Sequence, residues 1–559
     1  MPGHEGITGV VDDRAVGARA WATAVSVPPR SPCDVEAILH GTSGEPCGES
    51  ARRWVLATAI IGSGMAFIDG TVVNVALPAI QVDLRATVYE VQWVVESYAL
   101  FLAALLLLGG ALGDRFGRRR VFAIGVAIFG MASLACALSR DVHALIAARA
   151  VQGIGAALLV PGSLALISAA YPQNERGGAI GTWAGFSGVT AALGPVLGGY
   201  LVDRYSWAWA FLVNMPLAAV VLAIAWLRVP ESRDPHAPAA LDVRGALLAT
   251  VGLGGIVFAF IEAPTRQWLS PVVLGTLAAG IAGLVLFVVV ERRVQAPMLP
   301  LGFFRHRAFT GANLLTLLLY AALGGGLFFL PLDLIQVHGY SATAAGAALL
   351  PFILIMFALS RWAGQLVDRV GPRKPLIVGP LIAAGGFAAL AVPGTSGSYW
   401  STFFPGVVVL GLGMTVTVAP LTTTVMNAAG PQAAGIASGI NNAVSRVAGV
   451  LAIAMFGSLM AWAFEVELRD GLRAAQVPRE IAETALGQLD KLAAIELPAR
   501  PDPAGTAAAR RAIGEAFVSG FRWIMAVSAM LAVAGAALAA VFVPAQGTSG
   551  TGRSARTPG

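Results

Sequence analysis

Lysine is nearly missing from this chain: Lys374 and Lys491 stand against 35 arginines. A nucleotide-hydrolysing motor is thereby excluded. A phosphate-cradling Walker A loop needs Gly-Lys followed by Ser or Thr, and these lysines precede Pro375 and Leu492. Cysteine is scarce as well, and Cys33, Cys47 and Cys136 make no disulfide framework. There is no His-Glu-x-x-His, no Cys-x-x-Cys and no nucleophile triad, so neither a metal site nor an enzyme is expected. Charge is the third shortage. Charged residues make up 12% of the 559 and hydrophobic residues 57%, with a mean hydropathy of +0.74, whereas a soluble domain carries about 25% charge. So few charges cannot cover a water-facing surface, and a polytopic membrane protein remains. The net charge of +6 does not require nucleic acid, because positive residues also set membrane orientation.

Apolar runs of about 20 residues, enough to cross a hydrocarbon core of about 30 Å, recur near 54–77, 91–113, 121–138, 143–166, 179–202, 209–229, 241–261, 271–290, 309–334, 342–367, 375–393, 401–424, 435–461 and 518–542. Fourteen spans put both termini on one side. With the N-terminus cytoplasmic, the short inside loops hold 15 basic residues and the short outside loops 4, the bias expected of positive-inside topology. The segment 465–517 adds 7 basic residues outside, mixed with acids, and reads as a partly helical external loop. Residues 1–53 are polar and lack a helical period or a signal-peptide core. They read as a disordered cytoplasmic tail, and 546–559 as a second tail.

The chain repeats itself. Gly110-Ala-Leu-Gly-Asp114-Arg115-Phe-Gly117-Arg118-Arg119 lines up with Gly364-Gln-Leu-Val-Asp368-Arg369-Val-Gly371-Pro-Arg373 at a constant offset of 254. A second echo places Gly153-x-Gly155 before Pro161 and Gly411-x-Gly413 before Pro420. Two related halves point to a transporter with its site between them. The organisation expected is an N-terminal six-helix bundle over 54–229, a central two-helix insertion with its loops over 230–308, and a C-terminal six-helix bundle over 309–545.

These motifs carry a family resemblance. The stretch from Gly110 to Arg119 resembles motif A of the major facilitator superfamily, and Arg149-Ala-Val-Gln152-Gly153-Ile-Gly155 is similar to its fourth-helix motif. Leu193-Gly194-Pro195-Val-Leu-Gly198-Gly199 resembles the antiporter motif of the fifth helix. Asp69-Gly-Thr71-Val-Val-Asn74-Val-Ala-Leu-Pro78 and Trp207-Ala-Trp209-Ala-Phe211-Leu-Val-Asn214-Met-Pro216 resemble signatures of the 14-helix drug:proton antiporter branch. Thr190 stands where the antiporter motif often has glycine, Ala208 where arginine is usual between the tryptophans, and Pro372 where the first motif copy has Arg118. The resemblance implies an all-α major facilitator fold with two six-helix bundles and two extra central helices. It implies no cofactor beyond protons as coupling ion, a small-molecule substrate, contact with membrane lipid, and a monomer. Neither nucleotide nor nucleic acid is an expected partner. Together with the arginine, alanine, glycine and proline usage of a GC-rich genome, it implies a bacterial inner-membrane protein with cytoplasmic termini.

Charges inside a membrane cost about 2.5–3.5 kcal/mol on insertion scales and mark function. Here they are Asp69, Glu96, Arg149, Arg361, Arg446 and Asp333. At 1.5 Å per residue, Asp69 lies about 13 Å, Glu96 about 8 Å and Arg149 about 9 Å from one surface, and Arg446 about 16 Å from the other. Asp333 is close enough to its helix end for water to reach it. Burial disfavours a charged carboxylate and a neighbouring guanidinium favours it, so an acid that changes neighbours can load and release a proton. Asp69 is the expected main proton site, Glu96 the second, and Arg149 the partner of one of them. Gln92, Trp93, Gln152, Asp333 and Arg446 are the expected cavity residues, with Trp93 also placed as an interfacial anchor. Gly110, Asp114, Arg115, Gly117, Arg118, Arg119, Asp368 and Arg369 form an expected conformational latch. In it, Asp114 meets the positive end of the helix starting near Gly435 in one state only. Gly194, Pro195, Gly198 and Gly199 allow close approach and bending of the fifth helix. The function expected is proton-driven export of small hydrophobic or amphipathic compounds such as drugs or antibiotics. A proton symporter importing a metabolite is the alternative, and a non-transporting receptor or scaffold the reading from another class.

Overall fold

The computed structural model describes residues 48–234, 241–295, 297–430, 434–497 and 503–544. The helices are α1 (Glu49–Asp83), α2 (Val88–Phe116), α3 (Arg118–Ala137), α4 (Val142–Ala170), α5 (Gln173–Arg204), α6 (Trp209–Leu212), α7 (Asn214–Arg228), α8 (Val243–Arg266) and α9 (Pro271–Glu291). They continue as α10 (Arg307–Leu332), α11 (Ala342–Ala347), α12 (Leu350–Val370), α13 (Arg373–Leu390), α14 (Tyr399–Ala429), α15 (Ala434–Ala474), α16 (Arg479–Leu486) and α17 (Pro503–Phe542). Among the described residues, fourteen helical stretches are long and apolar enough to cross a bilayer, one for each apolar run read from the sequence.

Local signals set the helix starts. Thr87 and Glu90 form a reciprocal capping box at α2, and the Asp141 carboxylate accepts the Ala144 N–H at α4. The first helix begins at Glu49, inside the stretch read as a disordered tail. Arg52 is buried there and paired with Glu175 at 2.7 Å, which anchors a turn that hydropathy alone could not reveal. The remainder of that tail, 1–47, and the second tail lie outside the described residues.

Helices α1–α7 pack on one another, and α10–α17 form a second set. Between them α8 packs against both α2 and α15, while α9 packs on α8. That α8–α9 contact is close because Gly252, Gly255, Gly280 and Gly283 stand at it. The segment 465–517 is more helical than a loop. At 41 residues α15 is about 60 Å long and runs on beyond any bilayer. A 3-10 turn, Leu489–Ala494, then folds back on the body with Leu492 buried.

The end of the fold bearing this segment is the loop end; the end bearing Arg115–Arg120 is the arginine end. At the loop end the two sets meet. A Cβ on Gly199 would overlap the Ala342 carbonyl, and one on Gly346 the Pro195 carbonyl, so α5 lies directly on α11. The Asp203 carboxylate accepts the N–H groups of Ala342 and Thr343 at 3.0 and 2.8 Å. Gln336 donates to Gln81, which donates to the Lys491 carbonyl. Toward the arginine end, Gly177, Gly178, Gly181, Gly185 and Gly188 of α5 and Gly364 of α12 face open space.

Candidate functional site

Asp69 lies in the middle of α1 with 0% exposure. Its Oδ2 accepts from Arg149 Nη1 at 2.5 Å. Its Oδ1 accepts from Gln152 Nε2 at 2.8 Å and from Asn214 Nδ2 at 3.1 Å. Arg149 and Gln152 are one turn apart on α4, so both face α1, and Arg149 Nη1 also donates to Gln152 Oε1. Ser133 of α3 accepts from Gln152 and Asn214 and donates to the Phe211 carbonyl. The Arg149 Nε donates to the Val94 carbonyl at 3.0 Å, and its guanidinium lies 4.2 Å over the Tyr98 ring. Six helices of the first set thus converge on one carboxylate. The partners of both charges come from protein groups in a site without exposure.

Of the two acids that the sequence left open as partners of Arg149, the structure pairs it with Asp69. Glu96 does not join it. It is fully buried on α2, and neither carboxylate oxygen has a hydrogen-bond partner. Depth brought the two acids level, but rotation about the helix axis parts them. Gln92 is buried against α15, where Gly457 leaves room for its amide, so in this state it fills an interhelical contact. Trp93 borders a cavity of about 420 Å³ at the loop end with Tyr89, Glu90 and Asp490. The Arg446 Nε is buried without a partner, one turn before Gly449, whose free side faces open space. Asp333 is 1% exposed; water does not reach it, because the chain folds over the end of α10.

The arginine-end motif is in a self-contained state. Asp114 pairs with Arg118 at 2.8 Å and not with the helix beginning near Gly435. Glu231 takes the place at the start of α3, accepting the N–H groups of Arg119 and Arg120. Arg115 lies over the neighbouring Phe116 ring, and Gly110 packs near Pro161. In the second copy Gly371 repeats the positive φ of Gly117, at +76° and +112°, and Arg369 is exposed. The side chain of Asp368 lies outside the described residues. In the fifth helix, Gly194 and Gly198 press on Thr71 and Val72 of α1, while Pro195 and Gly199 face α11. The glycines therefore serve two contacts, one within the first set and one across to the second.

Asn214, Ser133, Glu231 and Asp203 were not singled out from the sequence. Asn214 stands inside a quoted motif, and a lone Ser or Asn in an apolar run was the available signal. Asn214→Ala removes two hydrogen bonds from the network, and its expected cost is about 1–3 kcal/mol, read as a lowered midpoint of thermal unfolding in detergent. An unchanged midpoint would show that Asp69 is held without it.

An all-helical, polytopic fold of two helix sets, with a buried ion pair inside the first, is the architecture of a secondary transporter. The sequence matches the Major Facilitator Superfamily over residues 59–453, and the chain belongs to that superfamily. It is 34% identical over 504 residues to the tetracenomycin C resistance and export protein of Streptomyces glaucescens, covering 88% of this chain and 92% of the relative. It is 38% identical over 442 residues to a puromycin resistance protein of Streptomyces alboniger, covering 78% and 87%. Among solved structures it resembles a bacterial homologue of the human lysosomal transporter Spinster, with a TM-score of 0.61 and 20% identity over 88% of this chain and 97% of that one.

Proposed function

We propose that this protein exports small hydrophobic or amphipathic compounds, drugs and antibiotics among them, in exchange for protons. The observation that carries the reading is the Asp69–Arg149 pair, a charge pair without exposure in a chain whose relatives are resistance and export proteins. Proton loading of Asp69 removes one member of the pair and leaves Arg149 uncompensated, an imbalance of about 3–5 kcal/mol in a buried site. Moving a two-state equilibrium from 1:99 to 99:1 takes about 5.5 kcal/mol, so one proton supplies much of the bias that alternating access needs. The arginine bias supports cytoplasmic termini, which makes the loop end the outer end. The closed α5–α11 contact with open space toward the arginine end is then an inward-facing state. In that state the Asp114 latch is disengaged, and outward opening would trade the Asp203–α11 cap for it. Glu96 and Arg446 are assigned to the coupling and substrate paths as secondary residues, and the protein acts as a monomer.

Everted vesicles carrying the protein, energised to a preformed proton gradient, test this. Puromycin added outside should dissipate the gradient in a protein-dependent manner. A gradient that instead builds up on addition would mean symport, and no response across a panel of lipophilic antibiotics would defeat the export reading.

A further inference from the structure

The loop end holds a further buried acid that the exchange scheme above leaves unused. Asp333 opens a π-helical turn, Asp333–Val337, that ends α10, and its Oδ1 is buried without a hydrogen-bond partner. His338 follows with its side chain 4% exposed. Its Nε2 is 3.0 Å from the Gly394 carbonyl, and its Nδ1 is 3.3 Å from the Asp333 carbonyl and 3.6 Å from Asp333 Oδ2. The rings of Phe403 and Tyr340 stand at 5.1 and 6.3 Å and help fix the imidazole.

We propose that Asp333 and His338 together form a second proton-carrying site, in the C-terminal half at the loop end. The argument is one of donors and acceptors. Gly394 offers only an acceptor, so Nε2 carries a hydrogen. Nδ1 faces only oxygens, so a further proton must sit on Nδ1 or on the Asp333 carboxyl. Without it, lone pairs oppose one another between two side chains that are almost wholly buried. The dyad therefore takes up one proton from the medium at the loop end and returns it when the turn is unlocked. Among the described residues, His338 is the one ion-pair partner of Asp333. The other charged groups near this turn are occupied or offset. Arg522 of α17 donates to the Val392 and Pro393 carbonyls. Glu515 adjoins Gly514, which packs near Val337. Asp490 and Lys491 lie on the 3-10 turn that touches the π-helical turn, and Asp203 is engaged by α11. Gln336, in the same turn, bonds Gln81 of the other half, so loss of the proton loosens the segment that keeps this end shut.

The site rests on geometry, and its part in export rests on the exchange reading. The full-length protein in lipid nanodiscs is stepped from alkaline to acidic pH and proton uptake is counted with an indicator dye. Asp333→Asn should take up one proton fewer than wild type, in the Asp69→Asn background as well. His338→Gln should keep that proton but move its midpoint by about one pH unit or more, a tenfold change in affinity. Equal uptake by Asp333→Asn and wild type overturns the proposal. So does an unmoved midpoint in His338→Gln, which decides the matter if the Asp333 variant does not fold. Because no transported compound is needed, failure of antiport in vesicles leaves this result standing.

Discussion

In proteoliposomes, Asp69→Asn is expected to abolish accumulation against a gradient while downhill exchange of the same compound persists. Asparagine has nearly the shape of aspartate and retains an oxygen for Arg149, but it cannot change charge. The substitution leaves Arg149 buried without a counter-ion, and removing one partner of such a pair costs about 3–5 kcal/mol. A lowered unfolding midpoint is therefore expected alongside the loss of coupling. The two effects are separable. Pairing Asp69→Asn with Arg149→Met removes both charges, and a neutral pair of similar volume is often no less stable than the buried ion pair. The double variant should recover most of the midpoint and none of the coupling. If it recovers gradient-driven transport, the pair is a structural brace and the proton moves elsewhere.

Gly199→Val is expected to prevent closure at the loop end. The added Cβ would overlap the Ala342 carbonyl, a backbone atom that no rotamer change can move aside. Overpacking of this kind costs about 1–3 kcal/mol, which biases the two states about 5–150-fold. The measurement is labelling of a cysteine introduced as Gln336→Cys by a membrane-impermeant maleimide, with Cys33 and Cys47 replaced by serine and Cys136 buried. Labelling should rise and transport fall with Gly199→Val. Gly188→Ala, where nothing stands within 4 Å, should change neither. Equal labelling of the Gly199 variant and its parent would mean that α5 and α11 do not form the gate.

The sequence contained much of the site but not its shape. Asp69, Arg149 and Gln152 could be named because a charge or amide inside an apolar run is conspicuous whatever surrounds it. Glu96 was equally conspicuous and proved to be a different case, since helix depth is readable from residue count whereas the direction a side chain faces depends on how the whole bundle packs. Asn214 lies 145 residues from Asp69 and Arg149 lies 80 residues from it, and no local pattern links such distances. Asp203 shows the same limit at the gate: an acid at a helix end reads as a solvated turn until the start of α11 is found against it.

What the amino-acid order determined by itself was the membrane class, the fourteen spans, the repeat and the family. Each is a local property: run length is matched to bilayer thickness, charge bias to topology, and short motifs to tight turns such as those at Gly117 and Gly371. Tertiary structure alone decided which acid is paired and which is orphaned, which end of the molecule is shut, and that Asp333 is dry. Those outcomes depend on helix rotation and on contacts between segments far apart in the chain, where packing selects among partners that composition leaves equivalent.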